Sequence, residues 1–374
     1  MKRRVLFLFA LLLQSAIFCA CSYENATSSS CDPIGVFDSG VGGMTVLEQM
    51  LKMDLYDNVT GERKSDGRAD FENERFVYFG DQANMPYGDY AAAGKSEYLK
   101  KLICADADFL FAKKAKAVVI ACNTATAWGL PLVAERASQE NAVCVGVIGA
   151  GVASALSQPE IVAAQGAVSI GVMATPGTIA SGAYERTILQ EAKKRGIGAR
   201  ITVVSQGCAG LADAVEAGSP EANVIALENY RELVAKHSAI ADAGAIKAII
   251  LGCTHYPFVL SGLKKAAGDS VTFVDPALAT AEECYLHLRD SGRLRRRGAM
   301  SLSAYISIPA KSLDKSCLDE KGNLSRVCKY GRELDDNTQW TEIKSYSAID
   351  AKDNGFIRAS LPAVWRMLNG RNSF

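Results

Sequence analysis

The sequence predicts an α/β protein of two doubly wound parallel-sheet domains, and three observations carry that reading. First, continuous apolar runs alternate with helical segments along the chain. Buried parallel strands read as unbroken Val/Ile/Leu runs, and their alternation with helices builds a doubly wound sheet. Second, the stretch Ile249-Ile250-Leu251-Gly252-Cys253-Thr254-His255-Tyr256-Pro257 has a counterpart in Val118-Val119-Ile120-Ala121-Cys122-Asn123-Thr124-Ala125. In both, a strand ends in a small residue and a cysteine comes next. Third, an Ile-Gly-Val strand running into a polar, Gly-containing turn opens 88 residues before Cys122, at Ile34, and 83 residues before Cys253, at Ile170. The chain therefore reads as two copies of one half, related by a pseudo-two-fold. Each half contributes one thiol beyond the carboxyl end of a strand, where open α/β sheets bind ligands. Either cysteine alone is as well explained as a small buried residue; two at matching places in matching halves are not.

The N-terminus differs from the rest of the chain. Lys2-Arg3-Arg4 precede an apolar run from Val5 to Leu13 and a small-residue end at Cys19-Ala20-Cys21. This predicts a secretory signal over residues 1–21, too short in its apolar part for a stable membrane span. Ala20-Cys21 is similar to the end of a bacterial lipobox, which would tether the chain to a membrane through a lipid on Cys21. Residues 22–33 read as a flexible polar tether. Export to a periplasmic or membrane-tethered location is the consequence of the signal. A true start near Cys31 would instead leave the protein cytoplasmic.

The first predicted strand is Ile34 to Phe37. Asp38-Ser39-Gly40-Val41-Gly42-Gly43 makes a tight turn into a helix over Thr45 to Lys52. Glycines there let backbone N–H groups approach an anion, but their spacing is not that of a dinucleotide fingerprint. Asp54 to Arg75 reads as a polar surface insertion, and Phe76 to Gly80 as the second strand. Next is a loop rich in turn formers, Asp81-Gln82-Ala83-Asn84-Met85-Pro86-Tyr87-Gly88. A helix over Lys95 to Lys113, the strand Ala117 to Ala121 and another helix come after it. Val143 to Ile148 is a strand whose Gly149-Ala150-Gly151 exit crosses into the second half. There the strands are Val168 to Met173, Ile201 to Ser205, Ile246 to Leu251 and Val271 to Asp275. Beyond Leu288 the periodicity fades; Ser301 to Trp340 reads as irregular, and Leu361 to Leu368 as a last helix.

Composition bounds the function. With 41 basic and 41 acidic side chains the net charge is zero, so no global field points to nucleic acid. The 49% hydrophobic content supports large cores, and 374 residues suit two domains. Among 11 cysteines, Cys317 and Cys328 stand in a polar tail and are the plausible disulfide pair in an exported protein. No Cys-x-x-Cys occurs and only three histidines are present, which argues against a structural zinc site. No metal and no cofactor is expected: there is no phosphate loop and no lysine placed for a Schiff base.

The longer motifs are more specific. Ile34-Gly-Val-Phe-Asp-Ser-Gly-Val-Gly-Gly, Tyr78-Phe-Gly-Asp, Pro86-Tyr-Gly, Ala121-Cys-Asn-Thr-Ala and Leu251-Gly-Cys-Thr-His-Tyr-Pro stand in order along the chain. From about Ile34 to Leu288 the sequence resembles the glutamate racemases, within the cofactor-independent aspartate/glutamate racemases. That resemblance implies two domains with the active site between them and cysteines facing from opposite sides. Domain 1 would comprise residues 34–145 plus 271–290, and domain 2 residues 146–270. Residues 291–374 would be an irregular extension packing on domain 1. The resemblance further implies that Cys122 and Cys253 are the catalytic acid/base pair, assisted by Asp38, His255 and Glu216. Asp38, Ser39, Tyr87, Gly88, Asn123, Thr124, Thr178, Thr254 and His255 would hold the substrate. The segment Gln206-Gly-Cys-Ala-Gly-Leu departs from the Ala-Cys-Pro pattern of the family, as do the signal, the insertion after Asp54 and the tail. A small amino-acid substrate and a second copy of the chain, in a homodimer, are the expected partners.

The chemistry agrees with the residues. Inverting an α-carbon needs a proton removed on one face and returned on the other, and two general acid/base groups do this without turning the substrate. A free thiol has a pKa of roughly 8.5, so a few per cent is thiolate at neutral pH, and a neighbouring imidazolium raises that share. Asp38 as an anion works against a thiolate, so its part is to accept a proton or hold the ammonium. The expected function is interconversion of L- and D-glutamate for peptidoglycan. An aspartate racemase, differing by one carbon of pocket depth, and an exported amino-acid-binding protein are the alternatives.

Overall fold

The computed structural model describes residues 28–346 and 358–370. Two sheets organise the chain. The first holds β1 (Ile34–Asp38), β2 (Arg75–Gly80), β3 (Ala117–Ile120), β4 (Val143–Gly146), β9 (Ser301–Pro309) and β10 (Thr341–Ser345), in the order β10-β9-β2-β1-β3-β4. The second holds β5 (Val168–Ala174), β6 (Ile201–Gly207), β7 (Ile246–Gly252) and β8 (Thr272–Val274), in the order β6-β5-β7-β8. The orders 2-1-3-4 and 6-5-7-8 are one permutation used twice, so the halves match strand for strand. Every pairing is parallel except β9 with β10.

That permutation positions the site. The strand order reverses between β1 and β3, and again between β5 and β7, and such switch points leave a crevice at the carboxyl ends of the strands. Asp38 closes β1 and Cys122 comes just after β3, while Thr175 comes just after β5 and Cys253 just after β7. The four central strands are almost wholly buried, as their unbroken apolar runs require. Apolar cores cover both faces of each sheet. On the first sheet they are built around Val36, Leu47 and Tyr285 on one side and Phe37, Leu99 and Ile103 on the other; on the second, around Ile170 and Ile188 and around Leu233 and Tyr256.

Several expectations change. The predicted exit Gly149-Ala150-Gly151 lies inside the helix Val147–Leu156, where the missing side chain at Gly151 lets the helix pack closely on Pro276. The strand near Val271 pairs with β7 in the second sheet, so the chain returns to the first half only at the helix Ala277–Asp290, which shares a core with the helix Met44–Lys52. The tail is not irregular throughout. Ser-Leu-Ser-Ala-Tyr-Ile-Ser-Ile alternates polar and apolar residues from Ser301, a period-2 pattern, and β9 adds to the free edge of β2. The helix Pro362–Leu368 forms as expected, its first N–H groups at Ala363 and Val364 donating to the Glu48 carboxylate.

The insertion after Asp54 is stitched inward: Asp70 accepts from Leu55 and Tyr56 N–H groups, and the Tyr56 ring stacks 4.8 Å from Tyr285. The predicted signal over residues 1–21, with Cys21, lies outside the described residues. The end of the predicted tether does not: Ser28–Cys31 is helical, and the buried Lys116 ammonium donates to Ser30 O at 2.8 Å. Among the described residues no helix is long and apolar enough to cross a membrane. Cys317 and Cys328 are free cysteines close to one another, not joined in the expected disulfide.

Candidate active site

Cys122 and Cys253 line one enclosed cavity, together with Ser39, Met85, Pro86, Tyr87, Gly88, Asn123, Thr124, Thr175, Ala212, Gly252, Thr254 and His255. Its volume is about 20 Å³, room for roughly one water molecule. In this form it has no room for an amino acid. Residues from both halves alternate around the wall, so neither half alone forms the site.

Cys122 caps the helix Asn123–Gln139: its Sγ accepts from Ala125 N–H at 3.4 Å and lies 3.7 Å from Ser39 Oγ. A helix N-terminus favours a thiolate, but it loses here. Burial, then the Asp38 charge, push the Cys122 thiol well above its ordinary value, outweighing the hydrogen bonds from Ala125 and Ser39. Cys122 is a thiol at neutral pH. Cys253 has a different neighbour. Its Sγ lies 3.7 Å from His255 Nδ1, and His255 Nε2 lies 2.5 Å from Glu216 Oε2. Burial works to discharge the imidazole, but the hydrogen bonds to Cys253 and Glu216, with their charges, hold it well above its ordinary pKa. Glu216 is the reciprocal case: burial works to raise it, and the His255 contact, with help from Gln82, leaves it below the usual carboxylate range. An imidazolium thus stands beside Cys253, a counter-ion for negative charge on that sulfur.

Asp38 is fully buried and does not line the cavity. Its Oδ2 accepts from Gly40 N–H at 3.0 Å, and its Oδ1 accepts from Thr254 Oγ1 at 3.4 Å. Burial raises its pKa, against the pull of His255 and of the Gly40 and Gly43 amides. In the turn after β1, Gly42 makes room for the second half: a Cβ there would stand 2.5 Å from Thr254 Oγ1 and 2.6 Å from the His255 ring.

The other expected residues divide into wall and support. Ser39, Gly88, Asn123, Thr124, Thr254 and His255 line the cavity; Thr178 and Glu216 stand behind it. Thr178 lies 2.9 Å from Thr124 across the halves, and Thr175 completes the triangle at 3.1 Å from Thr124 and 2.9 Å from Thr178. Asn123 Oδ1 accepts from Tyr184 OH at 2.6 Å. Tyr87 borders the cavity, yet its hydroxyl turns to Asp81 at 2.5 Å and Asp106 at 2.7 Å. One phenolic hydrogen cannot serve two carboxylates. Burial, then the Asp81 charge, lift Asp106 well above the carboxylate range, and burial raises Asp81 as well. The Tyr87 hydroxyl thus holds its loop, while the residue stays part of the cavity wall.

Sequence reading missed Gln82, whose Nε2 donates to Glu216 Oε1 at 3.0 Å, and missed Thr175, Tyr184, Asp81 and Asp106. Asp81 closes the Tyr78-Phe-Gly-Asp motif, and Thr175 left a signal of its own, a threonine before proline at a helix start, where it caps Thr178 N–H at 3.3 Å.

Comparison with known proteins points to one family. The profile of the Asp/Glu/Hydantoin racemases matches residues 79–284. A glutamate racemase of Clostridium novyi is 35% identical over 249 residues, 67% of this chain and 80% of that protein. One from Levilactobacillus brevis is 34% identical over 264 residues, 70% of this chain and 81% of that protein. Among solved structures, a Bacillus anthracis glutamate racemase isoform superposes with a TM-score of 0.57 at 29% identity, covering 73% of this chain and 87% of that one. The Francisella tularensis glutamate racemase in complex with D-glutamate superposes with a TM-score of 0.55 at 29% identity, covering 74% and 88%.

Proposed function

The chain belongs to the Asp/Glu/Hydantoin racemase family, as a cofactor-independent isomerase, and from that premise we propose that it interconverts L- and D-glutamate by two-thiol proton transfer. The observation that carries this is the pair of strand-end cysteines, one from each half, on a single enclosed cavity. For L-glutamate, Cys253 as thiolate takes the α-proton: the C–H bond breaks, an S–H bond forms, and the electron pair stays on the α-carbon. Cys122 gives its proton to the opposite face, breaking S–H and forming C–H. Cys253 then ends as thiol and Cys122 as thiolate, ready for D-glutamate in the reverse direction. The protonated Cys122 suits the acid role. His255, held cationic by Glu216, balances charge at Cys253. Asn123, Thr124 and Thr254, with Ser39, supply polar groups for the substrate's ammonium and carboxylates.

The test is racemisation by Cys122→Ala and Cys253→Ala. A general acid/base group is worth roughly 100- to 10,000-fold and each turnover uses both, so both variants lose activity in both directions. In deuterium oxide the new enantiomer should carry deuterium at the α-carbon, because its proton comes from a solvent-exchanged thiol. Early product that keeps its hydrogen, or near-normal activity in either variant, overturns the two-thiol assignment. A substrate panel with equal kcat/KM for aspartate would move the reading to aspartate, and binding without turnover would make the protein an amino-acid receptor.

Supply of D-glutamate for peptidoglycan, a homodimeric assembly and export with a lipid on Cys21 belong to the same proposal. The basic, apolar and small residues of positions 1–21 support export. Recovery of intact Met1 in a soluble cytoplasmic fraction would sink it, and sedimentation as a monomer would sink the dimer.

A further inference from the structure

The loop 81–88 forms one wall of the cavity through Met85, Pro86, Tyr87 and Gly88, and reaches the His255 pair through Gln82. What holds this loop comes from more than 200 residues away. Ser307 on β9, 2% exposed, donates to Asp81 Oδ1 at 2.6 Å and accepts from Ala83 N–H at 3.0 Å. Lys329, 8% exposed, donates to Met85 O, the carbonyl next to Pro86. Arg332, 3% exposed, donates to Asn84 Oδ1 at 2.7 Å and to Tyr90 OH at 2.8 Å, with its guanidinium between the rings of Tyr98 and Trp340.

All three lie beyond residue 284, where the family match ends. Their character is that of a built site. A lysine and an arginine are almost never this buried unless paired, and here they face a loop with a buried carboxylate, Asp81, whose charge Arg332 offsets. A serine, an ammonium and a guanidinium satisfy acceptors on three successive parts of one loop, at Asp81, Asn84 and Met85. A tail that only covered a sheet edge would need none of them.

We propose that segment 301–345 is a working part of the active site, in which Ser307, Lys329 and Arg332 act as positioning residues that set the loop 81–88 against the substrate. The inference rests on the racemase reading for its substrate. The mechanical sequence is short. The tail fixes Asp81, Asn84 and the Met85 carbonyl; the loop so fixed presents Gln82 to Glu216 and its Met85–Gly88 wall to the cavity; Glu216 in turn holds His255 beside Cys253. Releasing the tail loosens the wall before it touches either thiol.

The experiment uses the full chain with Lys329→Met and Ser307→Ala as independent variants, and Lys315→Ala, an exposed lysine of the same tail, as control. Loss of a buried hydrogen bond to a charged group costs enough to change binding by about tenfold or more. KM for glutamate should rise by about tenfold in Lys329→Met and Ser307→Ala, with kcat changed by less than about threefold. Amide hydrogen exchange over residues 81–88 should quicken in both by about tenfold, and the control should match the wild type in all three. Should one variant fail to fold, the other carries the test. Folded variants with wild-type KM and wild-type exchange over 81–88 overturn the proposal, because a merely structural tail would lower Tm and leave both unmoved. Wild-type protein that racemises nothing sinks the racemase reading instead, and the exchange measurement then decides the positioning claim alone.

Discussion

Gly177→Ala separates closure of the site from stability of the fold. Gly177 lies in the helix Pro176–Ala180 and meets the Gly88 backbone across the two halves. A Cβ there would stand 2.3 Å from Gly88 O and 3.0 Å from Gly88 C and Cα. Ordinary C···O contact begins at about 3.3 Å, so the backbones must retreat by about 1 Å, and no flexible side chain can give way for them. The retreat would also pull at the Trp128 indole N–H bonded to Gly177 O at 3.1 Å and at the Thr124–Thr175 contact. Cys122 belongs to one half and Cys253 to the other, so the gap opens between the two acid/base groups. A misplacement of that size costs about 100-fold in rate. Helix propensity acts the other way, since alanine exceeds glycine by up to about 1 kcal/mol. The expected result is kcat/KM lowered about 100-fold in both directions with Tm nearly unchanged. Gly149→Ala is the control, because nothing lies within 4 Å of a Cβ at that position. Activity of Gly177→Ala within about threefold of wild type would refute the argument that these backbones set the closed geometry.

Two further outcomes arise from the buried charges. In Glu216→Gln, His255 loses the partner that helps hold it cationic, so the alkaline limb of kcat/KM should move to lower pH by about 1–3 units. The sign comes from linkage: a raised histidine stabilises fully below its unfolded pKa and loses that contribution as pH rises through the folded value, so the Tm–pH curve of the variant should begin its alkaline fall earlier; superimposable profiles would contradict the pairing. Lys116, whose ammonium meets Glu74 Oε2 at 2.6 Å and the carbonyls of Ser30 and Arg293, is fully buried with its partner. Lys116→Met strands the Glu74 charge and should cost about 3–5 kcal/mol in urea unfolding, with most of it recovered in Lys116→Met/Glu74→Leu; a loss below about 1 kcal/mol would count against it.

What the sequence revealed and what it hid divide along physical lines. Cys122 and Cys253 were legible because a strand's end is a local property: four or five apolar residues, a small residue, then the thiol. The matching Ile-Gly-Val starts made the repeat visible for the same reason. Partnership across the fold left no such trace. Ser307 meets Asp81 across 226 positions, and its strand alternates serine with apolar residues, which reads as a polar linker until an edge is known to be waiting. Tyr87 was legible as part of the cavity wall, but the bonds of its hydroxyl to two buried aspartates were not, since one of them, Asp106, is carried on the helix Ser96–Ala112. Glu216 and His255 were both named from their motifs, but only the packing of the helix Leu211–Glu216 against the strand end after β7 makes them an ion pair.

The placement of β9 has a consequence of another kind. β2 reads Arg-Phe-Val-Tyr-Phe-Gly, a short aromatic strand of low charge. Such a segment with an open row of N–H and C=O groups is a template on which other chains assemble. β9 occupies that row, and the new outer edge, β10 (Thr341-Glu342-Ile343-Lys344-Ser345), turns the Lys344 charge toward solvent. A chain shortened before Ser301 would therefore bare a sticky strand as well as lose its tail, and its fate would be self-association into insoluble material.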